Sequence, residues 1–343
     1  MQIAVTGATG FIASEVVKVL LMRRHTVRGT VRNPEDAAKV SPLKELHGAG
    51  ERLRLFKADL LDRSGFDAAF EGCDMVIHVA SPYVIDVEDA QRDLVDPALK
   101  GTRNVLEAAN AAGVQRVVLT SSTAAITDQP EDRAYTEEDW NEKSSLTRNP
   151  YYYSKTVAER SAWQFVDDES PTFDLVVINP SGVLGPSVTS GVNTTSQMVA
   201  DLLNGGVYPA IVNLSFVYVD VRDVAEAHVL AAENPDAAGR YICANKLVTM
   251  EEMVATLKEL GFSDYKLPSM NLTSVFGTSI VRQMARFQKP GIRSFLETNL
   301  GRTLQLDNSK IKNELGLQFR DMTSSIVDTA NDLASWGHIP EKR

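Results

Sequence analysis

The stretch Val5-Thr6-Gly7-Ala8-Thr9-Gly10-Phe11-Ile12-Ala13 decides the fold. Before it, Ile3-Ala4-Val5 reads as a short buried strand. After it, Phe11, Ile12, Val16, Val17, Val19, Leu20 and Leu21 recur at helical spacing as far as Arg23. Between strand and helix lies a turn with two glycines. Gly7 permits the tight reversal, and Gly10 lets a backbone approach a pyrophosphate that the following helix amides can bind. Ala13 is small enough for the helix to pack on the strand, the role of the third glycine in the Gly-x-Gly-x-x-Gly dinucleotide pattern. The spacing here is Gly-x-x-Gly-x-x-Ala, and its place between a strand and a helix makes it a dinucleotide turn rather than a bland loop.

Moving outward, Thr26 to Val31 reads as a second strand ending at Arg32-Asn33-Pro34. NAD-binding versions of such a fold usually carry an acidic residue at this strand end. Here Thr30 and Arg32 stand instead, and a guanidinium binds a ribose 2′-phosphate that a carboxylate would repel. Lys39 offers a second cation, so the expected cofactor is NADP(H). A third strand, Leu53 to Phe56, ends at Lys57-Ala58-Asp59-Leu60, where Asp59 is either an adenine acceptor or a turn cap. Met75 to Val79 is a continuous apolar strand followed by the small residues Ala80 and Ser81, then Pro82; His78 inside it reads as a core residue. A helix is expected over Asp93 to Ala112, stopped by Gly113, then a fifth strand from Arg116 that ends in the hydroxyls Thr120, Ser121 and Ser122. Residues 123–150 are polar and acidic and read as a surface excursion.

Tyr151-Tyr152-Tyr153-Ser154-Lys155 opens the next helix, with Tyr151 and Lys155 on one face. An ammonium beside a phenol stabilises the phenolate, which makes tyrosine usable for proton transfer. Further elements are expected as a strand over Phe173 to Asn179, helices over Thr194 to Leu203 and Ala225 to Ala232, a strand over Arg240 to Ala244, and helices over Thr249 to Leu260, Ser309 to Leu315 and Thr323 to Ser335. The alternation of strands and helices predicts an α/β doubly wound parallel sheet with a smaller C-terminal substrate lobe. The nucleotide-binding part is expected over 1–180, completed by segments near 215–245; the remainder of 181–343 would form the lobe, interleaved with it.

Composition agrees. A chain of 343 residues with 43% hydrophobic and 23% charged content can bury a large core. The net charge of −10 argues against nucleic acid or an anionic membrane as a partner. Cys73 and Cys243 lie in or beside apolar runs and read as buried reduced thiols. The chain opens on a core strand and has no apolar run near the roughly 20 residues of a membrane span, so a cytoplasmic enzyme without leader or anchor is expected, as monomer or homodimer and with no metal site.

Taken together, the glycine turn, the serine-bearing strand end and Tyr-x-x-x-Lys resemble the extended short-chain dehydrogenase/reductases. Within them the chain is similar to the dihydroflavonol 4-reductase, cinnamoyl-CoA reductase and yeast-type methylglyoxal (carbonyl) reductase group. Gly29-Thr-Val-Arg32, His78-Val-Ala-Ser-Pro82, Val118-Leu-Thr-Ser-Ser122, Asn179-Pro-Ser-Gly-Val-Leu-Gly-Pro186 and Val219 to His228 add to the likeness. It spans nearly the whole chain and weakens between about Ser187 and Val217 and from Thr249 to Gly301. The resemblance implies Ser122 as the group that polarises a substrate carbonyl, Tyr151 as proton donor, and Lys155 on the nicotinamide ribose. It implies cofactor contacts from Gly7, Thr9, Gly10, Phe11, Ile12, Arg32, Lys39, Asp59, Leu60, Val79, Ala80, Ser81, Thr120, Pro180, Val183 and Ser196, besides Tyr151 and Lys155.

The expected activity is NADPH-dependent reduction of a ketone or aldehyde. Candidate pocket walls are Phe11, Pro82, Tyr83, Tyr152 and Tyr208; the basic run Arg282, Arg286, Lys289 and Arg293 reads as a solvated face. Cinnamoyl-CoA reductases carry Asn-Trp-Tyr-Cys-Tyr ahead of the lysine, and Asn149-Pro-Tyr-Tyr-Tyr-Ser-Lys155 departs from it, which counts against CoA thioester reduction. Two other readings share the scaffold. A nucleotide-sugar epimerase or dehydratase usually keeps NAD and an acidic residue where Arg32 stands, and a non-catalytic NADP sensor usually loses the tyrosine.

Overall fold

The computed structural model describes residues 1–81, 89–205, 208–288 and 290–340. Its centre is a parallel seven-stranded sheet. The strands are β1 (Gln2–Val5), β2 (Thr26–Val31), β3 (Leu53–Lys57), β4 (Met75–His78), β5 (Arg116–Thr120), β7 (Asp174–Pro180) and β11 (Gly239–Cys243). Their spatial order is β3-β2-β1-β4-β5-β7-β11. The order reverses at β1, with Ile3 paired to Val27 on one side and to Met75 on the other. A reversal of this kind opens a crevice at the carboxyl ends of the strands, where doubly wound folds bind ligands.

Helices cover both faces of the sheet. On one face α1 (Phe11–Met22) packs beside α8 (Val221–Glu233). The apolar stripe of α1 places Ala13, Val16, Val17, Leu20 and Leu21 in the core, and each of its valine and leucine side chains contributes about 1.5–3 kcal/mol on full burial. On the other face α4 (Ser64–Phe70), α5 (Asp96–Ala112) and α6 (Pro150–Glu169) pack around Phe66, Phe70, Leu106 and Ala162. A π-type turn over Gln91–Val95 leads into α5, so the regular helix starts three residues later than its periodicity suggests. Gly113 ends it in the left-handed conformation at φ 68°. Short helices α2 (Ala37–Lys44) and α3 (Ala49–Arg52) fill the β2–β3 connection.

Beyond β7 the chain builds a second core. Strands β8 (Gly182–Leu184), β10 (Ser215–Asp220) and β12 (Lys246–Thr249) form a small sheet in the order β12-β10-β8. Helices α7 (Thr194–Asn204), α9 (Met250–Leu257) and α13 (Met322–Ser335) pack on it around Val199, Leu257, Phe262 and Ile326. Two-stranded pairs join β9 (Ala210–Val212) to β13 (Met270–Leu272), and β6 (Ala134–Tyr135) to β14 (Gln305–Leu306). Helices α10 (Val275–Ala285), α11 (Pro290–Asn299) and α12 (Ser309–Glu314) complete the chain. Asp220 caps α8 through its side chain, which starts that helix four residues ahead of the expected Ala225.

The segment 123–149 departs most from its reading as a surface excursion. Ile126, Thr127, Asp128, Tyr135, Asn141 and Asn149 are all buried there. Their polar groups are satisfied locally. Asn141 donates to the Ala124 carbonyl (2.8 Å), and Arg148 donates to the Asp128 carboxylate (2.7 Å). Hydrogen-bonded polar residues can be buried where no apolar periodicity exists. Cys73 and Cys243 are buried free thiols. Among the described residues no helix is long and apolar enough to cross a membrane.

Candidate active site

The glycine turn lies at the carboxyl end of β1, beside the end of β4. Gly7 sits at φ 65°, and a Cβ on it would lie 2.9 Å from the Ala80 Cβ. A side chain at Gly7 is therefore excluded twice, by backbone conformation and by the neighbouring strand end. Gly10 caps α1 in extended conformation and has no side chain with which to cap it. The first amides of α1 are thus left to an outside acceptor, as an anion site requires. A cradle that a Cβ would fill, opposite an uncapped helix start, fits a dinucleotide phosphate.

Thr6 ties the two strand ends together. Its hydroxyl accepts the N–H groups of Val79 and Ala80, both at 3.0 Å. With its lone pairs so used, it donates its own proton to His78 Nδ1 at 2.8 Å. His78 is held neutral: burial pushes its pKa down to about 3, and the Lys155 charge adds to the effect. It is a structural acceptor, in line with its reading as a core residue.

A matching arrangement holds Thr120 at the end of β5. His228 Nδ1 donates to the Val224 carbonyl (2.7 Å), so its Nε2 accepts from Thr120 (2.7 Å). Burial pushes the His228 pKa down to about 4. Thr120 therefore spends its proton on α8. Ser122 is half-buried just beyond. Its hydroxyl oxygen accepts the Ala124 N–H at 3.1 Å, which leaves its proton to donate elsewhere.

Helix α6 supplies Tyr151 and Lys155. It begins at Asn149 in the left-handed region (φ 49°), followed by Pro150 at the first helical position. Asn149 is buried and held by Asp128 on one side and by Ser294 of α11, which donates to Asn149 Oδ1 at 3.2 Å, on the other. Tyr151 is half-buried and meets Tyr152 edge-on, with ring centroids 6.0 Å apart. The Lys155 amine lies 6.0 Å from the Tyr151 ring centroid and donates to Ser81 Oγ at 3.0 Å. Burial pushes the Lys155 pKa down to about 8, against an opposing pull from Glu159.

The other sequence candidates fall as follows. Arg32 is exposed at the end of β2 and has no ion pair or side-chain hydrogen bond among the described residues. Lys39 is exposed and pairs with Asp36 at 3.4 Å. Asp59 Oδ1 accepts the Leu61 N–H at 2.8 Å, so one oxygen acts as the turn cap weighed above. Leu60 packs over Gly101, and its carbonyl accepts from Asn104 (2.7 Å). Val183 and Ser196 are drawn together by Asn193, which donates to the Val183 carbonyl (3.2 Å) and accepts the Ser196 N–H (2.7 Å). The Ser196 hydroxyl is buried without a hydrogen-bond partner among the described residues. Thr189 donates to the Thr9 carbonyl at 3.3 Å, tying the segment after β8 to the glycine turn. Pro82, Tyr83 and Lys289 lie outside the described residues; Arg282, Arg286 and Arg293 are exposed, and Arg293 pairs with Glu297.

Three residues without an assigned role prove central. Glu159 is 1% exposed and Asn179 is fully buried, while Arg240 is 7% exposed. Arg240 donates to Glu159 (2.6 Å), as do Asn179 (2.8 Å) and Ser121. A carboxylate four positions past Lys155, on the same helix face, is the signal that marks Glu159.

The chain is similar to known proteins over most of its length. Residues 3–244 match the NAD dependent epimerase/dehydratase family. Cinnamoyl-CoA reductase CAD2 of Medicago truncatula is 40% identical over 342 residues, covering 96% of this chain and 95% of that protein. Tetraketide alpha-pyrone reductase 1 of Arabidopsis thaliana is 34% identical, covering 98% and 97%. The crystal structure of the yeast methylglyoxal/isovaleraldehyde reductase Gre2 with NADPH superposes with a TM-score of 0.79 at 31% identity, covering 99% of this chain and all of that one.

Proposed function

The chain belongs to the NAD dependent epimerase/dehydratase family, in the dihydroflavonol and cinnamoyl-CoA reductase group of extended short-chain dehydrogenase/reductases, and from that premise we propose that it is an NADPH-dependent carbonyl reductase. Its substrate is a ketone or aldehyde and its product the alcohol. One observation carries the reading: a buried lysine amine 6.0 Å from the Tyr151 ring, bonded to Ser81 at the strand end that the glycine turn faces.

The residues fit NADP(H). Gly7, Thr9, Gly10, Phe11 and Ile12 would hold the pyrophosphate, Arg32 and Lys39 the 2′-phosphate, and Asp59 and Leu60 the adenine. Val79, Ala80, Ser81, Thr120, Pro180, Val183 and Ser196 would line the remaining groove. The exposed, uncommitted guanidinium of Arg32 favours the phosphorylated cofactor. When bound, NADPH supplies the hydride.

This chain's residues manage the charge that then develops on the substrate oxygen. Ser122 accepts the Ala124 N–H, which orients its hydroxyl and leaves its own proton for that oxygen. Tyr151 gives the oxygen its proton. Lys155, still an ammonium below about pH 8, lowers the cost of the phenolate that Tyr151 leaves behind. Two positioned donors at a developing oxyanion stabilise the transition state.

Cinnamoyl-CoA thioester reduction is the second reading, favoured by 40% identity with the Medicago reductase over nearly the whole chain. Oxidation of NADPH by the purified protein, followed against aromatic and aliphatic aldehydes, α-ketoesters, diketones, dihydroflavonols and hydroxycinnamoyl-CoA thioesters, tests both. Turnover with a free ketone or aldehyde is the expected result. Turnover with thioesters alone would replace it with the second reading, and no turnover with any carbonyl would overturn both.

A further inference from the structure

Behind Lys155 several buried polar side chains converge on one carboxylate. Glu159 follows Lys155 by one helical turn, so the two share a face of α6. Its Oε2 accepts from Ser121 and from Asn179 (2.8 Å). Its Oε1 accepts from Arg240 (2.6 Å) and Trp163 (3.5 Å). Asn179 also donates to the Ser122 carbonyl at 3.2 Å. Arg240 is braced in turn. It lies over the Trp140 ring at 3.9 Å, and it donates to the Glu137 and Asp139 carbonyls at 2.8 and 2.6 Å. Strands β5, β7 and β11, helix α6 and the 123–149 segment therefore meet at this carboxylate.

A second feature points from the carboxylate to the active site. Lys155 and Glu159 line the same small cavity, together with His78, Ser81, Thr120 and Ser121. Among the described residues, the charged and titratable groups facing Lys155 there are few. Helix α6 gives Tyr151 and Glu159. Strand β4 gives His78, which burial keeps neutral. Helix α5 and strand β5 face it with uncharged Thr102, Thr120 and Ser121. His228 behind Thr120 is also neutral, and Arg240 lies beyond Glu159. Glu159 is the one anion in this set. A purely structural ion pair would need only Arg240; here the carboxylate also lines a cavity with a lysine whose charged form burial disfavours.

We propose that Glu159 is a positioning residue of the active site: its carboxylate keeps the buried Lys155 charged and fixes Ser121 and Asn179, and through Asn179 the Ser122 backbone. The inference rests on the proposed roles of Ser122, Tyr151 and Lys155. It deepens them by making the charge of Lys155 depend on a group that touches neither substrate nor cofactor. The field is directional in its consequence. Removing the carboxylate leaves Lys155 with its desolvation and with an uncompensated Arg240 cation, both of which disfavour the ammonium.

The test uses the full-length protein without cofactor, with isotope-labelled lysine. The Lys155 side-chain resonance, assigned by its loss in Lys155→Arg, is titrated by NMR in the wild type and in Glu159→Gln. The expected result is a Lys155 midpoint near 8 in the wild type and at least about one pH unit lower in the variant. An unchanged midpoint in folded Glu159→Gln would overturn the proposal. Removing one member of a buried pair can prevent folding, whereas neutralising both is far better tolerated. The double variant Glu159→Gln/Arg240→Met must also move the midpoint down, by less because the Arg240 cation is gone as well, and an unchanged midpoint there overturns the proposal equally.

The alkaline limb of turnover is then recorded in the same proteins. A limb that follows the Lys155 midpoint supports the whole scheme. A midpoint that moves while turnover does not would overturn the catalytic role of Lys155 and leave the link between Glu159 and Lys155 standing, so the two failures are distinguishable.

Discussion

Replacing Thr6 with valine tests how the glycine turn is held against the neighbouring strand. Thr6 is fully buried, and its hydroxyl is the sole hydrogen-bond partner recorded among the described residues for the N–H groups of Val79 and Ala80 and for His78 Nδ1. Valine keeps the shape and removes the hydroxyl. The buried His78 Nδ1 then loses its donor, at about 1–3 kcal/mol. The half-buried N–H groups of Val79 and Ala80 each lose an acceptor at the low end of that range, so Thr6→Val should destabilise the protein by about 3–5 kcal/mol. That is a large fraction of the roughly 5–15 kcal/mol that holds a domain folded. Serine keeps the hydroxyl and loses one methyl, at a cost of about 1 kcal/mol. Urea unfolding of both variants beside the wild type separates lost bonding from lost packing. NADPH affinity should fall with stability in the valine variant, because Val79 and Ala80 sit in the proposed cofactor groove. Valine and serine variants of equal stability would refute the reasoning.

Two other outcomes follow from the same structure. Arg32→Asp should weaken NADPH relative to NADH by about 10- to 100-fold, the worth of a charge-assisted contact, with unfolding unchanged because Arg32 is exposed; Michaelis constants for both cofactors measure it. His78 and His228 carry folded-state pKa values of about 3 and 4, below the unfolded value of about 6.5. Between those limits the unfolded chain binds more protons. Stability should therefore be intact above about pH 6.5 and fall on acidification towards pH 4, by on the order of 3 kcal/mol per histidine. Denaturant midpoints measured across that range check it, and His228→Gln should flatten the decline.

The parts of the fold that were legible in the sequence are those whose apolar pattern repeats. β1, the glycine turn and α1 could be read because a short apolar run, two glycines and a helical stripe follow one another without interruption. β4 and β5 could be read because strands buried on both faces are continuously apolar. The 123–149 segment could not, since Asp128, Asn141 and Asn149 are buried through hydrogen bonds that leave no periodicity. Short strands such as β8 and β12 were equally hidden. They are three and four residues long and owe their pairing to β10, which is distant in sequence from β8.

The site divides in the same way. Tyr151 and Lys155 are legible because four-residue spacing puts them on one helix face. Glu159 shares that face, yet its meaning depends on Arg240, 81 residues further along. No local pattern joins the two. Asp59 illustrates an alternative the sequence left open: one carboxylate oxygen caps its own turn, and the other oxygen is left for the proposed adenine contact.

The central claim is that Tyr151 protonates the oxygen of a carbonyl reduced at the expense of NADPH. Its most direct test is Tyr151→Phe, which removes one hydroxyl and keeps the ring. Turnover of the carbonyl substrate identified in the screen, and NADPH affinity by fluorescence titration, are measured in both proteins. The account predicts a loss of about 100- to 1,000-fold in turnover with NADPH affinity close to the wild type. Turnover near the wild-type rate in Tyr151→Phe would contradict it.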